Sequence, residues 1–258
     1  MTLIVGMRCT DGVVIGADGA STYATTGGQR TILQPTRKIE IIEKKVIAAV
    51  SGSVGLGQRF TEAVRVACAE GKLADKSPVE CMCVLSQQMR PHALQEIDVV
   101  RQAQAVLGQA AVMSLVSSSV IALPVGERSE LFQFDWLCTP ERATDHNPFV
   151  TIGSGQPIAD PFLAFLRRIF WPDKPPSLPD GVFAVFWTLQ HAIQTNPGGV
   201  AGPIQIVTLD GNGAEELDPA DLEEHKASVA AAEERLRSFR SDLVAETAER
   251  APMPPQNR

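Results

Sequence analysis

Thr2-Leu3-Ile4-Val5-Gly6-Met7-Arg8-Cys9-Thr10-Asp11-Gly12-Val13-Val14-Ile15-Gly16-Ala17-Asp18 sets two apolar runs on either side of the hairpin dipeptide Asp11-Gly12. The stretch reads as a β-hairpin that begins at residue 2 or 3. Neither run alternates apolar with polar residues, so both faces of the sheet must be covered by further layers and not by water. Moving outward, the polar, glycine-containing residues 19–35 read as a loop. Residues 38–42 and 45–50, joined at Glu43-Lys44, read as a second hairpin. The junction Ser51-Gly52-Ser53-Val54-Gly55-Leu56-Gly57 leads into a helical pattern ending near Ala69. Ser77-Pro78 supplies an N-cap and a first-turn proline for another helix, to about Met89.

Strand patterns return over 119–136, with a turn at Glu127-Arg128, and again at 149–152 before Gly153-Ser154-Gly155. Helical patterns cover 158–170 and 182–194, and a last strand, 204–209, is ended by Asp210-Gly211. The order ββββ, αα, ββ(β), αα, β predicts an α+β fold with two sheets faced by two helix layers. Asp218-Pro219 starts a further helix, in which Leu222, Val229, Leu236 and Leu243 recur at sevenfold spacing as a narrow apolar seam. Such a seam can lie on its own domain or against a neighbouring subunit. We therefore expect a main domain at 2–210, a helical extension at 211–250 and a disordered tail at 251–258, which holds three prolines.

The 258 residues leave room for one large domain or two small ones. With 44% hydrophobic and 21% charged residues, collagen-like, coiled-coil-only and wholly disordered readings are excluded. The 23 basic side chains are outnumbered by 30 acidic ones, so no nucleic-acid partner is expected. The longest uncharged stretch, 102–126, is interrupted by glutamines, serines and Pro124, which argues against a membrane span. No signal-peptide pattern follows Met1, and the cytoplasm is the expected location. Five cysteines, Cys9, Cys68, Cys81, Cys83 and Cys138, fit reduced thiols better than a disulfide framework.

Common catalytic signatures are missing. There is no P-loop and no His-Glu-x-x-His, and His92, His146, His191 and His225 lack metal-ligand spacing. Ile152 and Gln156 stand where a nucleophile elbow around Ser154 would need glycines. Cys81-Met82-Cys83 has no second ligand pair, and the turn from Gly52 to Gly57 lacks dinucleotide-binding spacing. Neither a metal nor an organic cofactor is expected. What remains is Thr2, directly before the first strand. With Met1 removed, it carries a hydroxyl and an α-amine together. An α-amine titrates near pKa 7.7–8.0, which suits a general base, and threonine paired with its own amine is a known activated nucleophile.

Thr2 stands in ordered company: Asp18-Gly19-Ala20-Ser21-Thr22 ends the first hairpin, Thr36-Arg37-Lys38-Ile39 starts a strand, and Ser51-Gly52 ends the next. With Ser154 added, the set resembles the proteasome β-subunit superfamily of N-terminal nucleophile hydrolases over roughly residues 2–210. The stretch from Asp18 to Thr22 is most similar to the bacterial HslV-type version, and the extended C-terminal helix resembles that of the beta-proteobacterial proteasome homologue. The resemblance implies a four-layer αββα sandwich. It makes Thr2 the nucleophile, Lys38 the cation that lowers its proton affinity, and Asp18 the carboxylate that positions Lys38. Gly52 N–H becomes the oxyanion donor, Ser154 a proton shuttle beside the amine, and Thr22 a binder of substrate main chain as an added strand.

The resemblance further implies peptide-bond hydrolysis inside stacked homo-oligomeric rings, of six or seven subunits each, acting on unfolded chains or short peptides. It does not name an ATP-dependent unfolding partner. Where many relatives carry an Asp and, three residues on, a Ser, this chain has Asn196 and Gly199. Residue by residue, plainer readings stay open: Asp18 as a turn cap, Lys38 as a surface lysine, Ser154 as an N-cap and Gly52 as a bend. A catalytically silent scaffold and a small-amide hydrolase are the alternative functions.

Overall fold

The structure, a computed structural model, describes residues 2–24, 30–107, 116–195 and 199–249. β1 (Ile4–Arg8) and β2 (Val13–Asp18) form the expected hairpin around Asp11-Gly12. Both are buried along their whole length, as the unbroken apolar runs require. They sit in an antiparallel five-stranded sheet ordered β10-β1-β2-β11-β12, with β10 at Phe149–Ile152, β11 at Ile204–Asp210 and β12 at Gly213–Glu216. The second five-stranded sheet runs β5-β6-β7-β8-β9. Its strands are β5 (Ile39–Ile42), β6 (Val46–Gly52), β7 (Ser117–Val125), β8 (Arg128–Phe134) and β9 (Pro140–Arg142).

Between the sheets lies one apolar layer, to which Ile4, Ile15 and Val207 contribute from the first sheet and Ile47, Val120 and Leu131 from the second. The outer face of the second sheet is covered by α1 (Val54–Ala69) and α2 (Pro78–Leu107), through Phe60, Val64, Leu85 and Met89 against Ile121 and Phe132. α3 (Gln156–Phe170) and α4 (Leu178–Thr195) cover the first sheet, α4 lying along β2. The arrangement is an α+β sandwich of four layers, helix, sheet, sheet, helix.

Several boundaries differ from the sequence reading, each for a local reason. Within 19–35, read as a loop, β3 (Ala20–Ala24) and β4 (Arg30–Pro35) form a two-stranded ribbon of their own. Thr22, Tyr23, Thr31, Ile32 and Leu33 are strand formers, and their pairing outweighs the nearby glycines. α2 runs on through Pro91 because its apolar face continues: Leu85, Met89 and Ala93 are all buried, offsetting the backbone bond that the proline removes. Its start is a capping box, in which Glu80 accepts from the Ser77 N–H at 2.8 Å and Ser77 Oγ faces the Glu80 N–H. α4 begins before Val182 because Ser177 caps it: its Oγ faces the Asp180 N–H and donates to the Asp180 carboxylate at 2.7 Å. β9 and β12, three and four residues long, escaped the sequence reading.

The described residues up to Leu217 form one compact unit and those from Asp218 on form a second. In the second, α5 (Pro219–Glu249) begins with Asp218 accepting from the N–H groups of Ala220 (2.7 Å) and Asp221 (2.9 Å). The stretch read as a disordered tail, 251–258, lies outside the described residues. Among the described residues no helix is long and apolar enough to cross a membrane, and no group of His, Cys, Asp and Glu could hold a metal ion. All five cysteines are free thiols.

Candidate functional site

The site is built around a buried charge. Asp18 ends β2 with no exposed surface, and a carboxylate without water must be paired and hydrogen-bonded. Its Oδ1 accepts from the Lys38 ammonium at 2.7 Å and from the Leu3 N–H at 2.8 Å, while Oδ2 accepts from the Ala20 N–H at 3.3 Å. The Asp18 N–H in turn donates to the Leu3 carbonyl at 3.1 Å. One carboxylate thus ties the strand entry next to Thr2 to the lysine. The Lys38 side chain, only 7% exposed, sits just before β5. Burial holds its pKa below the ordinary lysine value, and the neighbouring Asp18 charge opposes that shift.

Thr2 is delivered to this point by β1, and Ser154 by the end of β10. Ile4 pairs with Ile152 across the two strands, so the turn after β10 lands beside Thr2. The Thr2 backbone nitrogen, which becomes the α-amine once Met1 is removed, donates to Ser154 Oγ at 3.2 Å. Gly155 N–H donates to the Thr2 carbonyl at 3.2 Å. Gly153 takes φ +101°, and a Cβ there would lie 2.2 Å from the Thr2 carbonyl oxygen. Only glycine fits a backbone so oriented and so close.

Gly52 ends β6 with φ +120°, where a Cβ would lie 2.1 Å from the Val116 carbonyl oxygen. β6 belongs to the second sheet, yet its end reaches the Thr2 corner. Ser51 Oγ lies 3.0 Å from where a Gly153 Cβ would stand. Thr2, Asp18, Lys38 and Ser154 are therefore joined by hydrogen bonds or by the Leu3 step between them, and Gly52 adjoins them through Ser51. Thr22 lies in β3 opposite Leu33 in the backbone ladder, and its side chain lies outside what the structure describes. Gly199 has φ +128°, while Asn196 lies outside the described residues.

Two residues of this region escaped the sequence reading. Gln205 in β11 accepts through Oε1 from the N–H groups of Lys38 (3.2 Å) and Ile39 (3.3 Å). Glu216 in β12 accepts from Gln205 Nε2 at 3.2 Å and forms an ion pair with Arg37. The signal for Gln205 was a polar residue on the strand face shared with Val207 and Leu209. For Glu216 no local signal existed. A separate cavity of about 830 Å³ lies at the far ends of the strands, among the turns that hold Asp11, Lys44, Glu127 and Asn212. It contains none of the site residues.

A backbone threonine nitrogen beside a serine hydroxyl, a buried lysine–carboxylate pair and two glycines at close approaches can together serve acyl transfer. Comparisons with known proteins agree with this fold. No curated protein matches the sequence. Among solved structures, Anbu (ancestral beta-subunit) from Yersinia bercovieri superposes with a TM-score of 0.67 at 14% identity, over 99% of this chain and all of that one. The Anbu Gly-1 mutant from Hyphomicrobium sp. strain MC1 gives a TM-score of 0.67 at 17% identity, over 93% of this chain and 97% of that one. A chain from the helical assembly of the Anbu complex from Pseudomonas aeruginosa gives 0.64 at 16%, over 98% of each. The model of the proteasome subunit family matches residues 2–167, which span β1, the Asp18–Lys38 pair, Gly52 and Ser154, and the chain belongs to that family.

Proposed function

We propose that the protein is a threonine peptidase that uses Thr2, freed by removal of Met1, to hydrolyse peptide bonds. The observation that carries this reading is the Asp18 carboxylate, fully buried and shared between the Lys38 ammonium at 2.7 Å and the Leu3 N–H at 2.8 Å. A cation anchored next to Thr2 lowers the proton affinity of its hydroxyl. The α-amine, 3.2 Å from Ser154 Oγ, takes the hydroxyl proton directly or through that serine. Thr2 Oγ then attacks the peptide carbonyl, and the Gly52 N–H donates to the oxyanion. The proton passes to the leaving nitrogen as the C–N bond breaks, leaving an ester on Thr2. Water, deprotonated by the same amine, attacks the ester and restores the hydroxyl. In this reading Thr22 holds substrate main chain by strand addition.

The protein acts as a homo-oligomer of stacked rings whose closed chamber admits unfolded chains and short peptides. Family membership and the helical assembly of the Anbu complex from Pseudomonas aeruginosa support an oligomer. The exposed Leu236 and Phe239 of α5 supply a contact between neighbours.

Treating untagged protein with a peptide epoxyketone, which needs a threonine hydroxyl and a free α-amine, and measuring intact mass tests the chemistry. One adduct per chain, lost in Thr2→Ala, is expected. An unmodified chain that has already lost Met1, tested across a panel of epoxyketone sequences, overturns the reading in favour of a silent scaffold. Turnover of small amides with no turnover of peptides would replace the peptidase by an amidase with the same nucleophile.

A further inference from the structure

We propose that Gln205 is a positioning residue for Lys38. Its side-chain amide clamps the backbone that carries the lysine to the strand beside Asp18. For reactivity the proposal rests on the threonine-peptidase reading, but the clamp itself does not.

Gln205, Val207 and Leu209 share one face of β11, and the latter two belong to the apolar layer between the sheets. A carboxamide at that level is costly unless fully hydrogen-bonded. Gln205 meets that condition by reaching across to the other sheet. Oε1 accepts from the Lys38 N–H (3.2 Å) and the Ile39 N–H (3.3 Å), and Nε2 donates to the Ile39 carbonyl (3.2 Å) and to Glu216 (3.2 Å). Two acceptor positions and two donor positions are filled, which is the full capacity of the group. The same pattern fixes which end is oxygen, since the reversed amide would set donors against two N–H groups.

The location gives the clamp its purpose. In the β11–β2 ladder Gln205 lies opposite Ala17, and its neighbour Ile204 lies opposite Asp18. Clamp and carboxylate are thus fixed in one rigid register. Lys38 precedes the first ladder pair of β5, Ile39 with Ala49, so strand pairing alone does not hold its backbone. Glu216 adds a second hold through Arg37, the residue before Lys38. A lysine reaches its partner through four flexible carbons, and a displacement of about 1 Å at a catalytic group is enough to cost two orders of magnitude in rate. The amide therefore sets the reach over which Lys38 Nζ meets Asp18 Oδ1.

Gln205→Met keeps the volume and removes all four bonds, and Gln205→Asn keeps the amide but shortens its reach. Neither changes a charge, so Asp18, Arg37 and Glu216, the charged groups around this segment, stay as they are. Two readouts are taken on the full-length assembly. One is the rate of epoxyketone adduct formation at Thr2. The other is acetylation of Lys38 by acetic anhydride as a function of pH, read by peptide mass, which needs no activity. We expect at least tenfold slower adduct formation in a folded variant, with the Lys38 acetylation midpoint moving up towards that of an ordinary lysine as the ammonium loosens into water. If Gln205→Met does not fold, Gln205→Asn carries the same expectation. A folded variant with an unmoved acetylation midpoint, whether its adduct rate falls or not, overturns the proposal and leaves Gln205 a packing residue. If wild-type protein forms no adduct but the midpoint still moves in the variants, the peptidase reading fails and the clamp stands.

Discussion

Lys38 differs from a surface lysine in two measurable ways, little contact with water and a carboxylate at 2.7 Å. Burial makes its proton easier to lose than that of an ordinary lysine, although Asp18 restrains the shift. Under the proposed mechanism adduct formation should therefore follow a bell-shaped pH curve. On the acid side the rate rises as the α-amine deprotonates. On the alkaline side it falls once Lys38 loses its charge, below the ordinary lysine value of 10.5. Lys38→Met should lower the plateau by about 10²–10³-fold, as loss of a single electrostatic donor does elsewhere. A stopped-time mass assay from pH 6 to 11, as a practical range of roughly that span, measures both limbs.

A second buried charge concerns stability alone. Glu130, on β8, accepts from Arg8 of β1 at 2.9 Å and from Arg142 of β9 at 2.7 Å, so it joins the two sheets. Glu130→Ala would leave the buried Arg8 guanidinium, only 6% exposed, with Asp145 at 3.0 Å as its carboxylate partner. Removing one of two carboxylates should cost less than the roughly 3–5 kcal/mol of a fully broken buried pair, and denaturant unfolding measures the loss. Gln205 and Glu130 share a lesson. Each is a polar residue inside a strand whose meaning depends on a partner more than 100 positions away.

At the scale of elements, the ends of β1, β6 and β10 meet in one corner, and glycines make the meeting possible. Gly153→Ala should be damaging twice over, through a positive φ and a Cβ 2.2 Å from the Thr2 carbonyl. We expect a stability loss of about 1–3 kcal/mol and, in the folded fraction, loss of the Thr2 adduct. A Gly153→Ala protein with wild-type melting and labelling would mean that the turn after β10 is not what holds Thr2. The start of α2 was legible in Ser77-Pro78, whereas the start of α4 was placed too late although Ser177 and Asp180 cap it, and ends that only packing sets were missed. α2 passes Pro91 because its buried face continues, which a reading based on proline as a breaker cannot include. β9 has three residues, too few for any periodicity to register.

At the scale of the molecule, the four layers sort the thiols. Cys9, Cys81 and Cys138 are buried and Cys68 is half-buried, while Cys83 is exposed on α2. Burial pushes the Cys138 thiol up to about 12 and Cys68 up to about 11. Iodoacetamide at neutral pH should therefore modify Cys83 first, Cys68 slowly and the other three only on unfolding, as intact mass against time will show. The two compact units suggest another test. A chain ending at Leu217 should keep the sandwich, read by circular dichroism, while the mass of its assembly by light scattering falls if α5 joins neighbours. An unchanged assembly mass would remove α5 from the proposed contact.

What the sequence determined by itself was whatever short-range chemistry decides: the hairpin around Asp11-Gly12, the burial of both its strands, the helix starts at Ser77 and Asp218, and the layered α+β order. The candidate residues were legible only as an ordered set that resembles a family, since each of them alone fits a plainer reading. The contacts themselves were not. That one Asp18 oxygen is shared by Lys38 and Leu3, that Gly153 must clear the Thr2 carbonyl, and that Gln205 holds Lys38 from the opposite sheet were decided only by the tertiary structure. The physical reason is range. Turns and caps are settled within about four residues by backbone sterics and local hydrogen bonds. A buried polar group takes its partner from wherever the packed layers bring one.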